Sequence, residues 1–334
     1  MVRKLKIAII DSGVDSSHSF LNEKISWGCT IQPDLEVIEG KYKDIEGHGT
    51  NVVSVITKEN QNVEIYPIRI FDSSGQTSLL VLEKALMVAR DLDVDIVNLS
   101  LSIIDKFKSS DLEKICQKLR SEGKIIISSQ SNSNQKSYPA YFKSCIGVRG
   151  HILESDSSYW FNPYKGVQVV VDSEPFFHAT LDGNYCMFGK SNSYAAAKFT
   201  GMVSKVIEKN DTHDIKQIYE ILKKGASKKW WTKYHHRHSY RFPEFEIFEK
   251  KQGNQEIAYP IVKILLDYLR LTDEKSLYYH SLFSQENGLR YDQCFDLLLQ
   301  LESYFELSIR DYSEISRKDF YSFSSLLALV NQYL

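Results

Sequence analysis

The sequence predicts an α/β domain followed by a small all-helical bundle, and three observations carry that prediction. From residue 5 to about 225, short β-branched runs alternate with stretches of helical periodicity, the pattern of a mostly parallel, doubly wound sheet covered by helices on both faces. Residues 228–255 break the rhythm with an aromatic, charged stretch of no clear period. Beyond it, apolar residues recur at helical spacing.

The first strand is Lys6–Ile10, an apolar run closed by the turn residues Asp11-Ser12-Gly13. Val63–Phe71 is a second strand. Ser78–Asp91 places Leu79, Leu82, Leu86 and Ala89 on one helical face. Asp95–Leu101 is a strand, Ser109–Glu122 a helix closed by Gly123, and Lys124–Ser129 a buried strand. Sites in such folds lie at the carboxyl ends of the strands. Asp11 and Asn132 fall at or just beyond such ends, and His48 and Ser193 where helices begin. The first domain is expected over residues 1–250, with a polar linker near Lys250–Glu256. Helices at Ile257–Leu271, Tyr291–Phe305 and Tyr321–Leu334 then form a second domain over 256–334.

Composition excludes several classes of function. Of 334 residues 43% are apolar and 25% charged, enough for a sizeable core without disulfides or metal. A net charge of −2 argues against a general polyanion binder, so no nucleic-acid partner is expected. No run approaches the roughly 20 apolar residues of a membrane span, and Ile7–Ile10 is too short for a signal peptide. The five cysteines are scattered without metal-like spacing. They read as free thiols, and a cytoplasmic protein is expected.

Three segments carry chemistry: IAIIDSGVD (Ile7–Asp15), GHGTNVVSVI (Gly47–Ile56) and GKSNSYAAAKFTG (Gly189–Gly201). A carboxylate at a strand end, a His starting a helix and a Ser starting another can form an activated nucleophile. Together these segments resemble the Asp, His and Ser signatures of the subtilisin-like serine peptidases, in that family's chain order. The likeness continues through VEIYPIRIFDSSGQTS, DIVNLSLS and HATLDGNYCMFGKSNS, covering Lys6 to about Ser227. It implies a subtilisin-like fold and a catalytic triad of Asp11, His48 and Ser193. Aligning the closing glycine with Gly201 gives Ser193; anchoring on Gly189 instead gives Ser191 and puts the small residues out of register.

The resemblance also implies an oxyanion donor in KIIISSQSN, placed at Asn132, with Asn134 as the rival. It implies a substrate-binding strand edge at Ser100, Leu101, Ser102 and Ile103, with Ser131 opposite. Where the family usually shows a glycine pair, this chain has Ser102 and Ile103, whose side chains would narrow the pockets. Asn51 stands where the family commonly has His, and Ala197 where it has Pro. No cofactor is expected; the family often binds calcium structurally, but no acidic loop here fixes a metal site.

His235, His236 and His238 invite a zinc reading, yet they lack partnering cysteines and read better as a solvated or ligand-facing surface. Phe295–Ile309 resembles the second helix of acyl or peptidyl carrier proteins. The Leu289–Asp292 neighbourhood lacks the Ser that would bear phosphopantetheine, so a carrier-like module that cannot be loaded, or an unrelated four-helix bundle, is expected there. Either would offer a docking face for a protein partner. The expected function is a selective endopeptidase acting on a peptide substrate, such as the leader of a ribosomally made precursor. The alternatives are a general intracellular processing peptidase and a non-catalytic peptide binder.

Overall fold

The computed structural model describes residues 3–72, 74–104, 110–133, 135–236 and 255–334, which form two compact units. The first comprises Met1–Ser173, Ala179–Asn184 and Gly189–His238. Its strands are β1 (Leu5–Asp11), β2 (Cys29–Ile31), β3 (Val37–Glu39), β4 (Val63–Arg69), β5 (Ile96–Leu99), β6 (Ile125–Ser129), β7 (Cys145–His151), β8 (Tyr159–Phe161) and β9 (Val169–Asp172). They form one sheet in the order β3-β2-β4-β1-β5-β6-β7-β9-β8. The pairs β1–β4, β1–β5, β5–β6, β6–β7 and β7–β9 are parallel, and the pairs at the two edges, β2–β3 and β8–β9, are antiparallel.

The helices of this unit are α1 (Ser19–Asn22), α2 (His48–Glu59), α3 (Leu79–Asp91), α4 (Ser110–Ser121), α5 (Asn192–Asn210) and α6 (Ile215–Gly225). Strand side chains alternate between the two faces of a sheet. Ala8, Ile10, Val97, Leu99 and Ile126 accordingly share a core with Leu82, Leu86 and Ala89 of α3 and with Leu112, Cys116 and Leu119 of α4. Burying each such Leu contributes about 1.5–3 kcal/mol. The Ser78 hydroxyl caps α3 by accepting from the Val81 N–H at 3.2 Å. On the other face, Asn98 of β5 donates to the Thr200 hydroxyl of α5 at 2.8 Å, and both residues are fully buried. Ala195, Ala196 and Ala197 are fully buried in α5; their small side chains let this helix lie within the structure.

The second unit comprises Glu174–His178, Tyr185–Phe188 and Ser239–Leu334. It contains α7 (Gln255–Leu269), α8 (Lys275–Tyr279), α9 (Cys294–Phe305) and α10 (Phe323–Tyr333). A two-stranded sheet pairs β10 (Phe176–Ala179) with β11 (Tyr185–Phe188). Sequence periodicity finds the three long helices, but it reads residues 174–178 and 185–188 as part of the first domain. In the structure Phe177 sits in the helical core, 5.5 Å from Phe295 and 5.7 Å from Phe320 between ring centroids. No helix among the described residues is long and apolar enough to cross a membrane.

Candidate active site

Asp11 ends β1, 1% exposed, at the carboxyl edge of the sheet. Its carboxylate accepts from its neighbour's backbone, the Ser12 N–H, at 2.7 Å. The same oxygen accepts from Nδ1 of His48, also at 2.7 Å. His48 is the first residue of α2, so the helix start aims the ring at the strand end. Gly49 makes the approach possible: a Cβ there would collide with the Gly13 carbonyl oxygen in the turn after β1.

The start of α2 is held by a residue that the motif reading passed over. Asp44, 1% exposed, accepts from the N–H groups of Glu46, Gly47 and Thr50 and from the Thr50 hydroxyl, at 2.7–3.0 Å. An Asp shortly before a helix start is a capping signal that the sequence does display. Ser12 adds a further tie by accepting from the Gly49 N–H at 2.9 Å. The Asp11 charge, first, and then the hydrogen bond to it raise the His48 pKa against the opposing cost of burial, to about 9.

Ser193 is the second residue of α5, and its hydroxyl donates to the Ser100 carbonyl at 3.2 Å. Ile10 and Leu99 are in register between β1 and β5, so Asp11 and Ser100 are the next neighbours across the sheet. Adjacent strands lie about 4.8 Å apart. The imidazole anchored on Asp11 and the hydroxyl anchored on Ser100 therefore share one short stretch of sheet edge. Ser191 is differently employed: it caps α5, its hydroxyl accepting from the Tyr194 N–H at 3.1 Å.

Asn132 follows β6, and its Oδ1 accepts from the Asn192 N–H at 3.1 Å. The amide nitrogen Nδ2 is thereby turned away from that bond. Asn134 lies outside the described residues. Ser131 uses its N–H on the Ser137 hydroxyl at 2.8 Å, while its carbonyl accepts from Nδ2 of Asn192 at 3.1 Å.

The strand edge differs in one respect from the expectation. Ile103 does not offer its backbone to a ligand, because its N–H and C=O bond the Tyr138 backbone at 2.8 and 2.7 Å. In an extended chain alternate residues point their backbone groups to opposite sides, which leaves Ser100 and Ser102 on the other side. The Ile103 and Leu101 side chains pack against the core cluster that contains Tyr138.

In the histidine stretch, which reads from sequence as a solvated or ligand-facing surface, His236 is partly buried rather than solvated. The His236 ring lies tilted against Trp160 at 5.6 Å and edge-to-face with His151 at 5.5 Å between centroids, its Nδ1 is buried without a partner, and burial lowers its pKa to about 3. His235 Nδ1 accepts from the Thr232 N–H at 3.1 Å, and His238 lies outside the described residues. Among the described residues no group of three or more His, Cys, Asp or Glu side chains is placed to hold a metal.

A parallel sheet whose carboxyl edge gathers an Asp–His pair and a helix-initiating serine defines a class of protein, and a family model confirms the class. The subtilase family model matches residues 3–254, and the chain belongs to the subtilase family. Subtilisin amylosacchariticus of Bacillus subtilis subsp. amylosacchariticus is 25% identical over 238 residues, covering 67% of this chain. The match spans only 60% of that relative's length. Two solved structures share the fold over about two thirds of the chain. The S41 psychrophilic protease has a TM-score of 0.59 at 18% identity, covering 67% of this chain and 83% of its own. The epidermin leader peptide processing serine protease of Staphylococcus aureus has a TM-score of 0.56 at 18% identity, covering 66% and 69%.

Proposed function

We propose that this chain is a serine endopeptidase in which Asp11, His48 and Ser193 form the catalytic triad. The observation that carries the reading is the 2.7 Å contact between Asp11 and His48 Nδ1 at the strand end next to the one that anchors Ser193. A proton on Nδ1 leaves Nε2 as the basic nitrogen. In the reaction Nε2 takes the Ser193 hydroxyl proton as Oγ attacks the scissile carbonyl, and then returns a proton to the departing amine. Water regenerates the enzyme by the same transfers in reverse roles. The growing negative charge on the carbonyl oxygen is met by Nδ2 of Asn132 and by the Ser193 N–H, one of the first N–H groups of α5, which lack intrahelical partners.

Ser193→Ala is expected to abolish both cleavage and labelling by a fluorophosphonate probe, while Ser191→Ala keeps both and loses only about 1 kcal/mol of stability with its cap. Mass spectrometry of the labelled peptide decides between the serines. Labelling at Ser191, or undiminished cleavage by Ser193→Ala, would overturn the assignment. A non-catalytic peptide binder of the same fold would show neither labelling nor cleavage in the unaltered protein.

The substrate is read as a dedicated peptide rather than unfolded protein at large. Support comes from Ser102, which stands where the family usually has a glycine beside the strand edge that an extended substrate would join; Ile103, turned to Tyr138, carries none of it. The epidermin protease, similar in fold, processes a leader peptide; removal of the leader from a precursor peptide is the corresponding reading here. Incubation with a panel of unrelated unfolded proteins should leave most of them intact, and uniform digestion of the panel would favour a general processing peptidase.

A further inference from the structure

The residue immediately before the proposed nucleophile makes more polar contacts than a turn residue needs. Asn192 is 7% exposed, and every hydrogen-bonding function of its side-chain amide has a use. Nδ2 donates to the Gln130 carbonyl at 3.0 Å and to the Ser131 carbonyl at 3.1 Å. Oδ1 accepts from the Gly150 N–H of β7 at 2.9 Å. The Asn192 backbone N–H goes to Oδ1 of Asn132 at 3.1 Å. One residue thus grips the loop after β6 at three consecutive positions, 130, 131 and 132. Position 150 is shaped for this arrangement, since a Cβ there would stand 2.8 Å from the Ser191 carbonyl oxygen.

From this geometry we propose that Asn192 is a positioning residue for the oxyanion donor, fixing the direction in which Nδ2 of Asn132 points relative to Ser193. The inference rests on the peptidase reading above. Two carbonyls tied to the Asn192 side chain set the path of the loop, and the third contact takes up Oδ1 of Asn132. The amide of Asn132 then has a single orientation, nitrogen toward the reacting carbonyl. An oxyanion donor works through being held in place before the charge forms, and displacing a reacting group by about 1 Å can cost about 10²-fold in rate. The cross-brace also ties donor and nucleophile to the same residue pair, 192 and 193, so they move together.

The test is a double-mutant cycle read by the second-order rate of labelling with a fluorophosphonate probe, whose phosphoryl oxygen needs the same donor. Asn132→Ala is expected to slow labelling about 10²–10³-fold, the size of loss known for one such donor in subtilisin. Asn192→Thr, which offers one hydroxyl donor in place of the amide, is expected to slow it about 10-fold or more. In the combined variant the Asn192 substitution should add little, leaving the rate within about threefold of Asn132→Ala alone, as coupled residues behave. A purely structural role would instead multiply the two losses in full, and that outcome, or wild-type labelling by both Asn192→Thr and Asn192→Ala, overturns the proposal. Undiminished labelling by Asn132→Ala overturns it too, by removing the oxyanion donor itself, whereas absence of labelling in the unaltered protein fails the peptidase reading.

Discussion

At His48 two opposed effects meet. The Asp11 carboxylate favours the protonated ring and burial disfavours it; the charge wins and the pKa rises to about 9. An unperturbed imidazole, near 6.5, would give turnover that climbs from acid toward neutral or mildly alkaline pH, the expectation from the motif alone. In the proposed triad the base must be neutral to accept the Ser193 proton, so a raised pKa moves the acid limb of kcat/KM in the alkaline direction, with activity expected to rise still above pH 7 and to level only near pH 9. Asp11→Asn removes the largest cause of the shift. The limb should then fall back toward about 6.5, while kcat drops by about 10⁴-fold because the wrong tautomer is held. A pH–rate profile of both proteins checks this, and identical limbs would show that Asp11 does not set the His48 proton affinity. The same sign governs stability: the protonated pair favours the folded state below pH 6.5, and the gain is lost as pH rises through about 9.

Among the elements, α2 bears the greatest burden of precision. Its start is placed by Asp44, whose carboxylate occupies four donors, and by the close seat of Gly49 on Gly13. Asp44→Ala should destabilise the protein by about 1–2 kcal/mol, the upper range for a lost cap, and lower kcat because the ring of His48 loses its fixed origin. Urea unfolding and steady-state kinetics measure the two effects. Gly49→Ala tests the packing separately. Helix propensity alone would favour Ala by about 1 kcal/mol, yet a Cβ would strike the Gly13 carbonyl, so the net effect should be destabilising. A gain in stability would mean that the turn after β1 yields easily.

On the scale of the whole molecule, the second unit holds a buried ion pair beside its apolar core. Arg317, 3% exposed, bonds the fully buried Glu174 through Nε at 2.9 Å and an amino nitrogen at 3.3 Å. Beside it the Arg317 N–H donates to the Pro175 carbonyl, and the Phe177 N–H to the Ile315 carbonyl, so residues 315–317 run along β10 like an added strand. Breaking one side of such a pair leaves a buried charge without its ionic counterpart, and Arg317→Met should cost about 3–5 kcal/mol. Replacing both partners, as in Glu174→Leu with Arg317→Met, should recover most of that loss. Chemical denaturation of the full chain compares them, and equal stability of the single and double variants would show that the pair's charges are otherwise compensated.

Much of this was legible along the chain. The strand–helix alternation, the residues at the strand ends and the three long carboxyl-terminal helices follow from hydrophobic period and turn residues, which act locally. The motifs at Asp11, His48 and Ser193 were readable because each depends on neighbours within a few residues. The tertiary structure alone decided that Ser191 caps α5 while Ser193 faces Ser100, that Ile103 spends its backbone on Tyr138, and that residues 174–178 and 185–188 join the helical unit. It also decided that Asn192 braces a loop 60 positions away. Hydrogen bonds between segments remote in sequence leave no periodic trace, since any polar residue in a turn looks alike until the sheet register brings its partner alongside.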